Sequence, residues 1–139
     1  MWSGPLAARP VDRIAPGAPL QTLLVLEDED AVRRLMVIVL EGAGYRVLQA
    51  RDPATALAVA QSFPDHIHLL ISDLTMPEMD GREVARAITG VRPECRVLIV
   101  SGYPADIPAG SSPAQAAAFL QKPFVPRVLL ERVRELIGS

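Results

Sequence analysis

Leu69-Leu70-Ile71-Ser72-Asp73-Leu74-Thr75-Met76-Pro77-Glu78-Met79-Asp80-Gly81 is the stretch whose reading decides the fold. Its apolar start, closed by Pro77 and by the Asp80-Gly81 turn pair, reads as a strand covered on both faces that runs into a tight loop. Strands of that kind belong to parallel sheets with helices on either side. Asp73 then stands at the carboxyl end of the strand. In an open parallel sheet, ligands bind outside the carboxyl ends of the strands, so this carboxylate faces a crevice rather than the core.

Working outward, the same grammar repeats. Thr22 to Leu26 is a short continuous apolar run that ends in Glu27-Asp28-Glu29-Asp30. Asp30 is the expected cap of a helix over 31–41, with Val32, Leu35, Met36, Val39 and Leu40 on one face and Val37 and Ile38 widening the stripe toward a neighbouring helix; Gly42 and Gly44 stop it. Tyr45 to Ala50 is a second strand, and Asp52-Pro53 pairs a cap with a proline at the first position of a helix running to about Gln61. His66 to Asp73 is the third strand, followed by a helix from Gly81 to about Thr89. Arg96 to Ser101 and Ala117 to Gln121 are the fourth and fifth strands, and Pro126 opens a last helix whose core face is Leu129, Leu130, Val133, Leu136 and Ile137. Val125 takes the cap position there, where Ser, Thr or Asp would hold the helix better by about 1 kcal/mol. Between the last two strands, Pro104, Pro108, Gly110 and Pro113 leave room for a short or irregular fourth helix near 114–116. Alternating strands and helices with short connections imply a parallel α/β sheet with right-handed crossovers and helices on both faces.

The 139 residues amount to one domain. Met1 to Leu20, with Pro5, Pro10, Pro16 and Pro19, reads as a flexible tail or linker, leaving 21–138 for the domain. A net charge of -2 gives no basic footprint for nucleic acid, and no polybasic segment suits an anionic membrane surface. Neither a secretory signal nor an apolar run long enough to span a bilayer is recognisable, so a soluble cytoplasmic protein is expected. Cys95 is the single cysteine, an inert thiol before a strand, consistent with a reducing compartment. His66 and His68 lie about 16 Å or more from Asp73 along the strand, at edge positions away from the site.

Unusual residues therefore stand at four strand ends: Glu27 and Asp28, Asp73, Ser101, and Lys122, the only lysine in the chain. If the first and third strands are neighbours where the winding reverses, three carboxylates share one crevice, and their repulsion calls for a cation. Oxygen ligands in an open cleft suit Mg²⁺, which keeps several waters and favours one or two carboxylates with a phosphate oxygen. Asp73 is then a nucleophile able to form an acyl phosphate, with Lys122 holding a phosphoryl oxygen and the Ser101 hydroxyl donating to another.

With Val25-Leu26-Glu27-Asp28-Glu29-Asp30, Ser72 to Gly81, Leu98-Ile99-Val100-Ser101-Gly102-Tyr103 and Phe119-Leu120-Gln121-Lys122-Pro123-Phe124 in this order and spacing, the chain resembles a response-regulator receiver domain of two-component signalling. The resemblance covers 21–138 and implies the flavodoxin-like fold, a five-stranded parallel sheet of order 2-1-3-4-5. It implies that Asp73 accepts phosphate from the phosphohistidine of a histidine kinase or a phosphotransfer protein. Mg²⁺ would be bound by Asp28, Asp73 and the Thr75 backbone carbonyl, with Glu27 acting through water. Ser101 and Lys122 would sense the phosphoryl group, Phe119 would be the aromatic switch, and the Lys122-Pro123 bond would be cis. The Ser-Gly-Tyr and Leu-Gln-Lys-Pro-Phe pieces resemble receivers fused to hybrid histidine kinases, so the chain is either such a segment or a stand-alone regulator. A pseudo-receiver that only binds partners, and a Mg²⁺-dependent phosphohydrolase, are the rival readings; the complete acidic set speaks against the first and the lack of a dedicated general acid against the second.

Overall fold

The computed structural model describes residues 20–74, 80–102 and 117–138. Along the chain run β1 (Thr22–Leu26), α1 (Asp30–Gly42), β2 (Arg46–Ala50), α2 (Pro53–Ser62), β3 (Leu69–Asp73), α3 (Gly81–Val91), β4 (Arg96–Ser101), β5 (Ala117–Gln121) and α4 (Pro126–Ile137). The strands form one five-stranded sheet of order β2-β1-β3-β4-β5, every pair parallel, as expected. The short or irregular fourth helix expected before β5 lies outside the described residues.

Period-two alternation explains the two layers. Leu24 and Leu26 of β1, with Leu70 of β3 and Ile99 of β4, face one side, where Ala56, Val59 and Ala60 of α2 and Val84 and Ile88 of α3 cover them. Leu23 and Val25, with Leu69, Ile71, Leu98 and Val100, face the other side and meet Met36 and Leu40 of α1 and Leu129 and Val133 of α4. The central strands are thus buried on both faces, which is why their sequences read as unbroken apolar runs.

Cap chemistry largely follows the sequence. The Asp52 carboxylate accepts from the Thr55 N–H at 2.7 Å with Pro53 opening α2, and Asp80 accepts from the Arg82 N–H at 2.7 Å at the head of α3. Val125 caps α4 without a side-chain hydrogen bond. Three local readings need correction. Glu29, not Asp30, is the cap residue of α1; Asp30 lies inside the first turn, and its carboxylate is drawn to Arg33 Nη2 at 2.6 Å instead. Leu35 is 47% exposed, because the stripe that docks on the sheet is centred on Met36, Val37 and Leu40, and Ile38 points outward as well. β3 begins at Leu69 rather than His66: among the described residues, the ladders to β1 and β4 start there.

One structural side chain escaped the sequence reading. Arg92, just past α3, donates from Nε to the Ala60 carbonyl at 2.7 Å, from Nη1 to the Asp65 carbonyl at 2.6 Å and from Nη2 to the Phe63 carbonyl. It thereby satisfies carbonyls at and beyond the end of α2 that have no helical partner.

Candidate functional site

The parallel register brings the four strand ends level. Leu26 pairs with Ser72, Asp73 with Val100, and Ser101 with Gln121, so Glu27 and Asp28, Asp73, Ser101 and Lys122 emerge at one edge of the sheet. Backbone bonds pin the exits: Glu27 N–H to the Ala50 carbonyl at 3.1 Å, Leu74 N–H to Val100 at 2.9 Å, and Lys122 N–H to Ser101 at 2.7 Å. The Lys122-Pro123 peptide is cis.

Carboxylate oxygens of Glu27, Asp28 and Asp73 lie within 4.8 Å of one another. Glu27 is buried, Asp73 is half-buried and Asp28 is exposed. Lys122 Nζ sits 2.7 Å from Glu27 Oε1 and 3.7 Å from Asp73 Oδ2, while the Glu29 N–H donates to Glu27 Oε2 at 3.1 Å. Burial pushes the Glu27 carboxyl above its ordinary value and Asp73 adds to the rise, against the pull of Lys122. Burial likewise draws Lys122 down, but the bond to Glu27 and the charges of Glu27, Asp73 and Glu29 outweigh it and leave the ammonium above its usual value. The geometry is that of an ammonium–carboxylate pair: Lys122 Nζ, which can only donate, reaches one Glu27 oxygen, and the Glu29 N–H reaches the other.

This donor set fits a hard divalent cation. Asp28 and Asp73 present oxygens toward the open side, and Glu27 is tied to Lys122 and to the backbone, so it serves the cluster as fixed negative charge. Outside the carboxylates, a cleft of about 660 Å³ is lined by Val32, Leu35, Asp73, Gly102, Lys122 and Phe124, leaving Asp73 accessible.

The remaining residues singled out from the sequence divide. Ser101 is buried at the end of β4, level with the acidic cluster. Phe119 is half-buried on β5 against the α2–α3 layer, with the Arg82 guanidinium 5.9 Å from its ring centroid. Thr75 lies outside the described residues. Arg33 was not anticipated: its Nη1 donates to the Glu27 carbonyl at 2.9 Å, tying α1 to the acidic loop, and its spacing of three from Asp30 was the available signal.

The sequence profile of the response regulator receiver domain matches residues 23–134. The chain belongs to the receiver domain family. This receiver is 38% identical over 117 residues to the sensor kinase CckA of Brucella abortus, an alignment covering 84% of the chain but only 12% of that kinase. It is 34% identical over 119 residues to the response regulator receiver protein CpdR of the same organism, covering 85% of the chain and 98% of CpdR. Among solved structures, the receiver domain of the hybrid histidine kinase CckA superposes with a TM-score of 0.72 at 35% identity, covering 84% of this receiver and 98% of that domain. The chemotaxis protein CheY4 of Vibrio cholerae does so with 0.71 at 27%, covering 85% and 99%. The receiver is therefore a domain of two-component phosphorelay signalling, and the pseudo-receiver reading is not favoured. No helix among the described residues is long and apolar enough to cross a membrane.

Proposed function

We propose that Asp73 is the phosphoacceptor of this receiver and takes a phosphoryl group from the phosphohistidine of a histidine kinase or phosphotransfer protein. The observation that carries this is the half-buried Asp73 carboxylate at a strand end, within 4.8 Å of two further carboxylates and 3.7 Å from the Lys122 ammonium, on an open cleft. An Asp73 oxygen attacks phosphorus, the P–N bond breaks as the new P–O bond forms, and the leaving imidazole keeps the electron pair of the broken bond and departs neutral because its other nitrogen carries a proton. Mg²⁺ would be held by Asp28, Asp73 and the Thr75 carbonyl, with Glu27 acting through water, and would supply charge neutralisation at the phosphoryl oxygens.

Within the chain, Lys122 moves from Glu27 toward a phosphoryl oxygen, and the Ser101 hydroxyl donates to a second one. Phe119 is the aromatic that follows Ser101, and the resulting two states differ in affinity for an output partner. The domain is a phosphoacceptor switch that assists its own phosphorylation rather than an enzyme with a separate substrate. We assign 21–138 to the receiver and 1–20 to a tail or linker, and place the protein in the cytoplasm, where its donors operate.

The test is intact mass after incubation with acetyl phosphate, with and without Mg²⁺, on wild type and Asp73→Asn. A Mg²⁺-dependent gain of about 80 Da, one phosphoryl group added as an acyl phosphate, is expected in wild type and absent in the variant. A variant that gains the same mass would overturn the assignment of Asp73.

A further inference from the structure

We propose that Gly81 is a positioning residue for Asp73: the lack of a side chain there lets α3 rest on the phosphoacceptor's own carbonyl and so sets where its carboxylate points. This rests on the reading of Asp73 given above. The Gly81 N–H donates to the Leu74 carbonyl at 2.7 Å. A Cβ on Gly81 would lie 2.4 Å from the Asp73 carbonyl oxygen, 2.9 Å from Leu74 Cα and 3.2 Å from the Asp73 carbonyl carbon. All three neighbours are backbone, so no rotamer change relieves the overlap.

Nor can that backbone step aside alone. Asp73 is paired with Val100 in the ladder to β4, and the Leu74 N–H donates to the Val100 carbonyl at 2.9 Å. The end of β3 is therefore held between β4 on one side and the first turn of α3 on the other. Any side chain at this position must lift α3 or tilt the Asp73 peptide. The rest of the site does not follow either movement, because Asp28 leaves from β1 and Lys122 from β5. The helical backbone of Gly81 needs no special conformation; close approach alone demands glycine. Gly42 and Gly90, by contrast, have no atom within 4 Å of an added Cβ, and Gly90 lies in the same helix.

The experiment compares wild type with Gly81→Ala, Gly90→Ala, the double variant, and Val133→Ala in α4 on the opposite face of the sheet. It reads the rate of phosphorylation by acetyl phosphate per folded molecule, and Mg²⁺ affinity by calorimetric titration. Gly90→Ala favours the helix and offsets part of any stability lost through Gly81→Ala, which keeps the comparison on folded protein. A misplacement near 1 Å can cost about a hundredfold in rate, so Gly81→Ala and the double variant are both expected to slow by about tenfold or more and to bind Mg²⁺ more weakly. Gly90→Ala and Val133→Ala should stay within about twofold of wild type, since a global loss of stability alone moves neither quantity per folded molecule. Wild-type rate and Mg²⁺ affinity in Gly81→Ala would overturn the proposal while leaving Asp73 as the acceptor. If wild type itself takes up no phosphoryl group that Asp73→Asn abolishes, the reading of Asp73 fails, and the proposal falls with it.

Discussion

At the amino end of the sheet the polar side chains are tied into the scaffold, whereas at the carboxyl end they crowd like charges around a cleft. At the amino end, the Thr22 N–H donates to His68 Nδ1 at 3.0 Å, Arg92 spans three backbone carbonyls, and Glu94 lies 3.7 Å from both Arg92 and His66. Cys95 is buried there, and burial pushes its thiol up to about 12, which leaves it unreactive at neutral pH. At the carboxyl end, three carboxylates crowd together, the Lys122 ammonium reaches two of them, Glu27 and Asp73, and Glu27 is buried. Titratable residues thus occur at both ends, but the group of three carboxylates within 4.8 Å of one another found among the described residues stands at the carboxyl end. A cation can relieve the repulsion within that group.

Substitutions at the two ends should separate along this line. The largest effect is expected from Lys122→Met, which strands the buried Glu27 carboxylate without its counter-ion and should cost about 3 kcal/mol, at the low end for broken buried pairs because Lys122 itself is partly exposed. Thermal melts should then rise more steeply with added Mg²⁺ than those of wild type, because the metal takes over the missing positive charge. Equal Mg²⁺ dependence in the two proteins would show that Lys122 does not balance the cluster. Next comes Arg92→Ala, which frees carbonyls after α2 and should lower stability by about 2 kcal/mol in urea titrations, with phosphorylation per folded molecule unchanged. A slowed reaction in that variant would mean that the amino end is coupled to the site.

The smallest effect concerns pH. Burial, and then the neighbouring His66, hold the His68 pKa below its ordinary 6.5, and the Thr22 N–H bonded to Nδ1 also requires a neutral ring. A base with a depressed folded pKa binds fewer protons folded than unfolded. Its contribution is therefore complete above 6.5 and is lost as pH falls below that value through the folded pKa. His68→Asn, whose Oδ1 occupies the position of Nδ1 and can still accept from the Thr22 N–H, should flatten the acid side of the stability curve. An unchanged slope between wild type and variant would assign the acid sensitivity elsewhere.

What could be read locally was read well. β1, β4 and β5 have the expected bounds because a strand buried on both faces advertises itself as an unbroken apolar run. The Asp52-Pro53 start of α2 was legible because a cap hydrogen bond spans only three residues. Asp30 misled for the converse reason: a capping side chain and a salt-bridging one look alike in sequence, and Arg33 drew it into the second role. Leu35 misled because a helical stripe is wider than the line of contact that a flat sheet offers, and packing alone chooses its centre. Arg92 gave no signal, since its acceptors are carbonyls about thirty residues away in sequence.

The sequence by itself determined the alternation of strands and helices, the two-sided burial of the central strands and the place of Asp73 at a strand end, because apolar period, caps and turn residues act over a few positions. Only the tertiary structure decided that Lys122 reaches Glu27 across 95 residues of chain, that Glu27 is buried while its neighbour Asp28 is not, and that α3 rests on the carbonyl of Asp73. Those are contacts between separate elements, and their distances follow from sheet order, register and close packing, which no local pattern encodes.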